Sequence, residues 1–277
     1  MRIAFIVSRF PALSQTFILN QITGLIDREH RVDIYAVQSD NNPRIHPDVI
    51  KYNLLNHTYY FRELPSGKLR RYIGITGLII KYFYKKPGSL LKTWLLSNRG
   101  KGSILKILCA GFPFLDKHPY DIIHCHFGPN GILGTTLKDT GVIEGKVVTT
   151  FHGYDISSYV KKHGNDVYNS LFVRGDMFLP ISEHWRNRLV ELGCSERKIV
   201  VHRMGIDTNK FHFVSDRHRK DGKVRLLTIA RLIEKKGIQY AVQAVGVALK
   251  KYPNIEYCVV GDGPLKITLK GLIEELN

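Results

Sequence analysis

The chain has 277 residues, 44% of them hydrophobic, which is enough to bury the core of one large domain or two of moderate size. Its 41 Lys and Arg residues outnumber 24 Asp and Glu residues, and the net charge of +17 indicates an anionic partner: phosphates, nucleic acid or an acidic membrane surface. Four widely spaced cysteines without a CxxC pair argue against a disulfide framework and predict reduced thiols in a cytoplasmic protein. The opening MRIAFIVSRFP predicts a first strand rather than a signal peptide, and the apolar run at 73–80 is far short of the roughly 20 residues that span a bilayer.

The first 40 residues have the pattern strand, helix, strand. Residues 3–8 form an apolar run typical of a buried strand, and residues 32–37 alternate as a second strand. Between them, Ser14 is predicted to cap a helix over residues 15–28. A helix N-terminus at the end of the first strand suits a polar or anionic ligand, but an ordinary capped helix explains the pattern equally well.

Residues 62–106 carry eleven Lys and Arg residues against a single acidic residue, Glu63. Aromatic and aliphatic residues lie between the charges, a combination that suits the surface of an anionic membrane, where each cation adds about 1 kcal/mol. The segment can instead form helices that pack on a core and expose basic outer faces, or a nucleic-acid patch, although no recognition fold accompanies it. We favour the membrane surface because the charge is so one-sided.

Residues 121–127 (DIIHCHF) predict a strand with His124 and His126 on the same face, because side chains alternate along a strand. An HxH pair can bind a metal, but no third or fourth ligand follows at a suitable spacing, so we favour core or cleft histidines.

A further strand over residues 147–151 runs directly into His152 and Asp155. This position at a strand's carboxyl end is where a side chain can touch a substrate, and an imidazole can donate to sugar hydroxyls or shuttle a proton near neutral pH. The alternative is a turn in which Asp155 caps the next helix, and both can hold.

The rest of the chain continues as strands and helices. We expect a strand over residues 178–181, a helix over residues 183–192 that is capped by Ser182, and another strand over residues 199–202. The polar, aperiodic residues 208–222 predict a linker. Residues 226–264 then form a βαβ unit with two parallel strands, whose loops 231–236 and 261–264 fall at the carboxyl ends of the strands, where open parallel sheets bind ligands.

Seven motifs occur together in one order along the chain: FPALSQTFILNQ, HFGPNG, TFHGYD, PISE, MGID, ARLIEKKG and GDGP. Taken together, they resemble the GT-B retaining glycosyltransferases of the family-four type, which transfer a sugar from a nucleotide-sugar donor. The subgroup that the chain resembles builds bacterial exopolysaccharides such as colanic acid.

The resemblance implies an α/β protein with two Rossmann-like doubly wound domains. Residues 1–207 would be the acceptor-side domain, 208–222 the linker, and 223–277 a partial nucleotide-sugar-binding domain. It further implies transfer of a hexose to a lipid-linked saccharide at the inner membrane face, by a protein associated peripherally with that membrane.

The resemblance also assigns roles to single residues. Arg231 and Lys236 would contact the donor diphosphate, where a planar guanidinium and a mobile ammonium suit phosphate oxygens. His152 would lie near the donor sugar and the reacting carbon, with Asp155 supporting it. The remaining expected site residues are Ser14 and Gln15, facing donor phosphate and acceptor, and the donor-site glycines Gly205, Gly261 and Gly263. No cofactor and no metal are expected, since the family needs none and the sequence has no DxD motif.

One departure from the family is the E-x7-E motif expected beyond GDGP, because the sequence ends at Asn277. Glu183 and Glu191 have that spacing, but we interpret them as a coincidence on a helix of the first domain. We therefore expect an incomplete second domain and low activity, in a fragment or a naturally short product. The alternative function is a non-catalytic remnant that binds membrane or a partner through its basic first domain.

Overall fold

A computed structural model describes residues 1–40, 44–63, 67–98, 104–213 and 222–276. The chain divides into two compact units, Met1–Asp207 and Thr208–Asn277. Most of the predicted linker, residues 214–221, lies outside the described residues.

The first unit is built on a parallel sheet of six strands in the order β3-β2-β1-β4-β5-β6. Both faces of its central strands are buried, so apolar residues predominate in them, as expected for a doubly wound sheet, although the strand over residues 122–126 also carries His124 and His126. The strands are β1 (Arg2–Arg9), β2 (Arg31–Gln38), β3 (Thr58–Tyr60), β4 (Ile122–His126), β5 (Lys146–Phe151) and β6 (Met177–Pro180).

Nine α-helices are described in the first unit: α1 (Thr16–Ile26), α2 (Pro47–Lys51), α3 (Lys68–Lys85), α4 (Pro87–Asn98), α5 (Ile104–Gly111), α6 (Gly128–Asp139), α7 (Ser158–His163), α8 (Asn169–Arg174) and α9 (Glu183–Glu191). Alternate residues of β1 serve two cores. Ile3 and Phe5 pack with Ile22 of α1, whereas Ala4 and Ile6 belong to the core that includes α3, α5 and α6. Helices therefore cover both faces of the sheet.

The second unit holds a sheet of two parallel strands, β7 (Val224–Ile229) and β8 (Ile255–Val260), with α10 (Ile238–Leu249) and α11 (Lys266–Leu276). The helices cover one face of this sheet, where Leu232, Ile238, Val242 and Leu269 are buried. The other face is open: Leu227 and Ile229 are 62% and 74% exposed. The βαβ unit and its parallel strands are confirmed.

Two local predictions are wrong. Helix α1 begins at Thr16, so Gln15 is its N-cap residue and Ser14 lies before it; Gln15 makes no side-chain capping bond. Residues 199–202 do not form a ladder: Ile199 makes an isolated bridge to Phe178, and the backbone N–H groups of Val200 and His202 donate to the edge strand β6. Ser182 does cap α9, since its hydroxyl accepts from the N–H of Trp185 at 3.4 Å.

Candidate active site

The edge formed by the carboxyl ends of β1, β4 and β5 gathers most of the predicted site residues of the first unit. In parallel sheets of this strand order, ligands bind where connections leave toward opposite faces, here between β1 and β4. Ser14 and Gln15 follow β1, His126 is the last residue of β4, and His152 comes directly after β5. The fold therefore places three separate motifs at the same edge.

Helix α6 begins at this edge and lies close on β4 and β5. A Cβ atom at Gly131 would stand 2.5 Å from Thr149 Oγ1, and one at Gly134 would stand 2.6 Å from Cys125 Sγ. Real Cβ atoms do not approach so closely, so a larger residue at either position would push the helix off the sheet. The glycines after His126 thus hold the helix directly on the strands that carry the histidines.

Three histidines form a stack at this edge. The rings of His124 and His126 are 4.7 Å apart between centroids, and those of His126 and His152 are 5.2 Å apart. His126 Nδ1 and His152 Nε2 share a hydrogen bond of 3.0 Å, while His124 Nε2 bonds Thr150 Oγ1 at 2.7 Å. The same-face prediction for His124 and His126 is confirmed, and both are buried.

The imidazoles of the stack are neutral at pH 7. Burial lowers the pKa of His124 to about 3 and that of His152 to about 4, and neighbouring histidines add to the effect at His124. Burial and the adjacent His124 hold the pKa of His126 well below its usual value. A neutral His152 is suited to hydrogen bonding, and less to shuttling protons near neutral pH.

Asp155 supports the site from inside the protein. It is 1% exposed, and its carboxylate accepts from the backbone N–H of His152 (Oδ1, 3.0 Å) and of Gly128 (Oδ2, 3.0 Å). Tyr168 donates its hydroxyl to the Asp155 carbonyl at 2.7 Å. Burial raises the pKa of Asp155 to about 6, although the backbone N–H groups oppose this shift. Asp155 therefore ties the end of β5 to the start of α6 and holds the backbone of His152 in position.

The ring of His152 lies half-buried between two aromatic side chains. Phe17 of α1 is 4.7 Å away between centroids, and Phe127 is 4.6 Å away. Asn130 connects the same region to β1, since its amide donates to Ser8 Oγ at 3.1 Å and to the His126 carbonyl at 2.7 Å. Sequence patterns do not single out Phe17, Phe127 or Asn130 as site residues, although each lies within a motif that follows the end of a strand.

Ser14 is exposed at this edge, whereas Gln15 is half-buried. The side-chain oxygen of Gln15 is buried and has no hydrogen-bond partner among the described residues. Buried acceptors are nearly always paired, so Gln15 has unused capacity for a donor group. Gly205 lies near the end of the first unit, with open space around its Cβ position.

The two predicted loops of the second unit lie side by side. The N–H of Ala230 donates to the Val260 carbonyl at 3.0 Å, and the N–H of Leu232 donates to the Asp262 carbonyl at 2.9 Å. A Cβ atom at Gly261 would stand 1.9 Å from the Ala230 carbonyl oxygen.

The contact between the loops 231–236 and 261–264 leaves Arg231 and Lys236, the two cations predicted to bind the donor, outside the core of the second unit. A Cβ atom at Gly263 would stand 2.5 Å from the Leu232 carbonyl oxygen, so both glycines let the loops touch. Arg231 and Lys236 are exposed at this edge, where a guanidinium and an ammonium are available to any anion bound there.

Among the residues that the structure describes, no three His, Cys, Asp or Glu side chains are grouped so that they could hold a metal ion. The same residues include no helix that is long and apolar enough to cross a bilayer.

Two family models match consecutive parts of the chain: "Glycosyltransferase Family 4" over residues 92–210 and "Glycosyl transferases group 1" over residues 210–277. The chain is 35% identical to WcaL of Escherichia coli (strain K12), whose name assigns it to colanic acid biosynthesis, covering 99% of this chain and 68% of WcaL. It is 36% identical to the amylovoran biosynthesis glycosyltransferase AmsK of Erwinia amylovora, with the same coverage of 99% and 68%. The chain thus spans about two thirds of the length of these relatives.

Solved structures share the fold at low sequence identity. HepE of Anabaena, solved in complex with UDP, matches with a TM-score of 0.63 at 14% identity, over 100% of this chain and 66% of HepE. Sucrose-phosphate synthase of Thermosynechococcus elongatus matches with a TM-score of 0.60 at 18% identity, over 100% of this chain and 68% of that enzyme. The predicted family and fold are confirmed, and the non-catalytic alternative is not favoured. The chain belongs to the GT-B glycosyltransferases of bacterial exopolysaccharide biosynthesis.

Proposed function

We propose that this glycosyltransferase moves a hexose from a nucleotide-sugar donor to a lipid-linked saccharide at an anionic membrane surface, with retention at the anomeric carbon. The observation that carries the donor part is the paired loop edge of the second unit, where Arg231 and Lys236 stand exposed beside Gly261 and Gly263. HepE, which shares the fold, has been solved in complex with UDP and with UDP-glucose, which supports a nucleotide-sugar donor here.

In this reaction the bond from the anomeric carbon to the diphosphate oxygen breaks, and a bond from that carbon to an acceptor hydroxyl oxygen forms. The nucleoside diphosphate leaves with the electron pair, and its departing oxygen takes up the proton that the acceptor hydroxyl loses. Arg231 and Lys236 stabilise the growing negative charge on the diphosphate, where binding lowers the barrier. His152 hydrogen-bonds the transferred sugar, Ser14 and Gln15 contact donor phosphate or acceptor, and Gly205 leaves room for the donor.

Replacing Arg231 or Lys236 by alanine is expected to weaken UDP binding about tenfold, because each change removes a charge-assisted contact to phosphate. Lys250→Ala is the matched control, since it removes another exposed cation, at the far end of α10. Calorimetric titration with UDP, and with GDP in parallel, measures the effect, and thermal melts show that the fold is intact. Equal affinity in wild type, Arg231→Ala and Lys236→Ala would remove both cations from the donor site.

The membrane part of the proposal rests on the outer face of α3. The inner face of this helix is buried through Leu78 and Tyr82, yet the outer face is apolar as well. Leu69, Tyr72 and Tyr84 on that face are 74%, 70% and 81% exposed. Exposed apolar stripes of this kind mark a binding surface, and α4 adds further exposed apolar residues: Leu91, Trp94 and Leu95.

The charge of this region is less one-sided in the structure than in the sequence. Lys81 and Lys85 both pair with Asp116, at 2.8 and 3.1 Å, and Lys86 pairs with Glu144 at 3.6 Å. Arg99 and Lys101 lie outside the described residues. Apolar contact with the lipid is therefore the larger part of the proposed attachment, and the cations favour anionic headgroups.

Vesicle flotation tests this attachment. The double variant Phe83→Ser, Tyr84→Ser is expected to bind vesicles of anionic phospholipid about tenfold more weakly, because two exposed aromatic rings no longer enter the interface. Its control is Phe213→Ser, Tyr240→Ser, an equally exposed pair in the second unit. Equal flotation of both double variants would contradict the assignment to α3, and complete loss of wild-type binding at moderate salt would indicate charge alone.

A further inference from the structure

The hydrogen bond between His126 and His152 joins two imidazoles that are neutral, so one ring must donate and the other must accept. The atoms are His126 Nδ1 and His152 Nε2, 3.0 Å apart. A neutral imidazole carries one proton on one of its two nitrogens, and the partner of each nitrogen selects the tautomer. The direction of this bond therefore determines which nitrogen of His152 is free to donate.

The second nitrogen of His126 decides the direction. His126 Nε2 is buried and has no hydrogen-bond partner among the described residues. If Nε2 carried the proton, a buried N–H donor would be left unpaired, which is rarely found in folded proteins. With the proton on Nδ1, the unpaired group is a lone pair, and Nδ1 donates to His152.

We propose that His126 is a positioning residue that holds His152 in the Nδ1–H tautomer, so that His152 offers a hydrogen-bond donor to the ligand. His152 Nε2 accepts from His126, and the proton of its neutral ring therefore resides on Nδ1. The ligand group that fits is an oxygen acceptor, and a sugar hydroxyl of the nucleotide-sugar is such a group; this choice of ligand rests on the proposed function.

The surroundings hold this arrangement in place. Phe17 and Phe127 flank the His152 ring at 4.7 and 4.6 Å between centroids, which restricts its rotation. His124, the third ring of the stack, bonds Thr150 and not His152, so it does not compete for His152 Nε2. Burial keeps the pKa of His152 near 4, which leaves the ring neutral at physiological pH.

The tautomer can be read directly in the whole chain by long-range proton–nitrogen NMR correlation of ¹⁵N-histidine-labelled protein. Wild type is expected to show His152 protonated on Nδ1, with Nε2 as the acceptor. His126→Asn, whose amide retains a donor at the Nδ1 position, is expected to preserve this state. His126→Leu is expected to shift His152 toward the Nε2–H tautomer, and the matched control His124→Leu is expected to leave it unchanged.

Binding supplies a second measurement. His126→Leu is expected to weaken UDP-glucose binding about tenfold while UDP affinity stays at the wild-type value, since UDP lacks the sugar. His126→Asn is expected to restore UDP-glucose binding. A purely structural role for His126 would change both affinities together.

An Nε2–H tautomer of His152 in wild type, or an unchanged tautomer in His126→Leu, would overturn the proposal. The NMR measurement needs no turnover, so it decides the role of His126 even if neither nucleotide binds. Absence of nucleotide binding in wild type would instead contradict the proposed function. If His126→Leu does not fold, the spectra of wild type and His126→Asn still distinguish the two tautomers.

Discussion

Replacing Asp155 by alanine is expected to lower the free energy of unfolding by about 3 kcal/mol, because the N–H groups of buried Gly128 and half-buried His152 then lose their acceptor. Each of these groups lies 3.0 Å from a carboxylate oxygen. The raised pKa of Asp155 shows that burial of the charge is itself unfavourable, so the loss is smaller than for an ideally paired carboxylate. Asp155 still stabilises the folded protein, because each of these two N–H groups has a carboxylate oxygen of Asp155 as its acceptor.

Denaturant unfolding measures this loss. Asp155→Asn keeps one acceptor oxygen but turns an amide N–H toward the other backbone N–H. We therefore expect its free energy of unfolding to lie between those of wild type and Asp155→Ala. Asp166→Ala, a change of the same kind at an exposed carboxylate nearby, is the control and should leave the unfolding midpoint unchanged. If Asp155→Ala and Asp166→Ala unfold at the same denaturant concentration, the Asp155 carboxylate does not hold the end of β5 to the start of α6.

Acidification from pH 7 to pH 5 is expected to destabilise the first unit strongly. His124 and His152 have pKa values near 3 and 4 in the folded protein, and that of His126 is also depressed, against about 6.5 for an unfolded histidine. Below pH 6.5 the unfolded chain therefore binds more protons than the folded one. Stability falls as pH falls through this window and is regained above it.

Asp155 has the opposite effect. Its folded pKa of about 6 lies above the usual carboxyl value, so between pH 6 and about 4 the folded state holds the extra proton and gains stability as pH falls. Three histidines against one carboxylate leave an excess of about two protons in the unfolded chain. The expected slope is therefore about 3 kcal/mol per pH unit between pH 6 and 5.

Guanidinium unfolding at half-unit pH steps, followed by near-ultraviolet circular dichroism, measures the slope. The variant His126→Asn removes one titrating imidazole and should reduce the slope by about half, since about one of two excess protons is lost. A wild-type midpoint that stays constant from pH 7 to pH 5 would show that the histidines are not buried in the neutral form.

Much of the fold could be predicted because its elements are long and periodic. The apolar run over residues 3–8 marks β1 to within one residue at each end, and the βαβ pattern of residues 226–264 is found as β7, α10 and β8. Strand β3 is not predictable because three residues carry too little periodicity, and residues 199–202 resemble a strand because an apolar run does not show whether a ladder forms. The helix start at Thr16 is hidden because Ser14 is a good capping residue that the backbone does not use.

The sequence predicts which residues belong to the site, but not the contacts between them. HxH spacing and a histidine after a strand are visible in the sequence, and parallel topology brings them to one edge. The bond between His126 and His152 depends on the stagger of β4 against β5, where His126 pairs with Thr150, and no spacing rule contains that register. Likewise, the pairing of Lys81 and Lys85 with Asp116 reaches outside the basic segment, so counting charges within it overestimates the free charge.

The close seat of α6 on the sheet has a consequence for the thermodynamics of ligand binding. Because Gly131 and Gly134 let the helix contact β4 and β5 directly, the stack of histidines is ordered as part of the folded core. Its side chains lose their rotational entropy when the protein folds, before any ligand arrives. A ligand that accepts a hydrogen bond from His152 therefore binds a group that is already held in place. The favourable enthalpy of that bond is not offset by an entropy loss from ordering the imidazole.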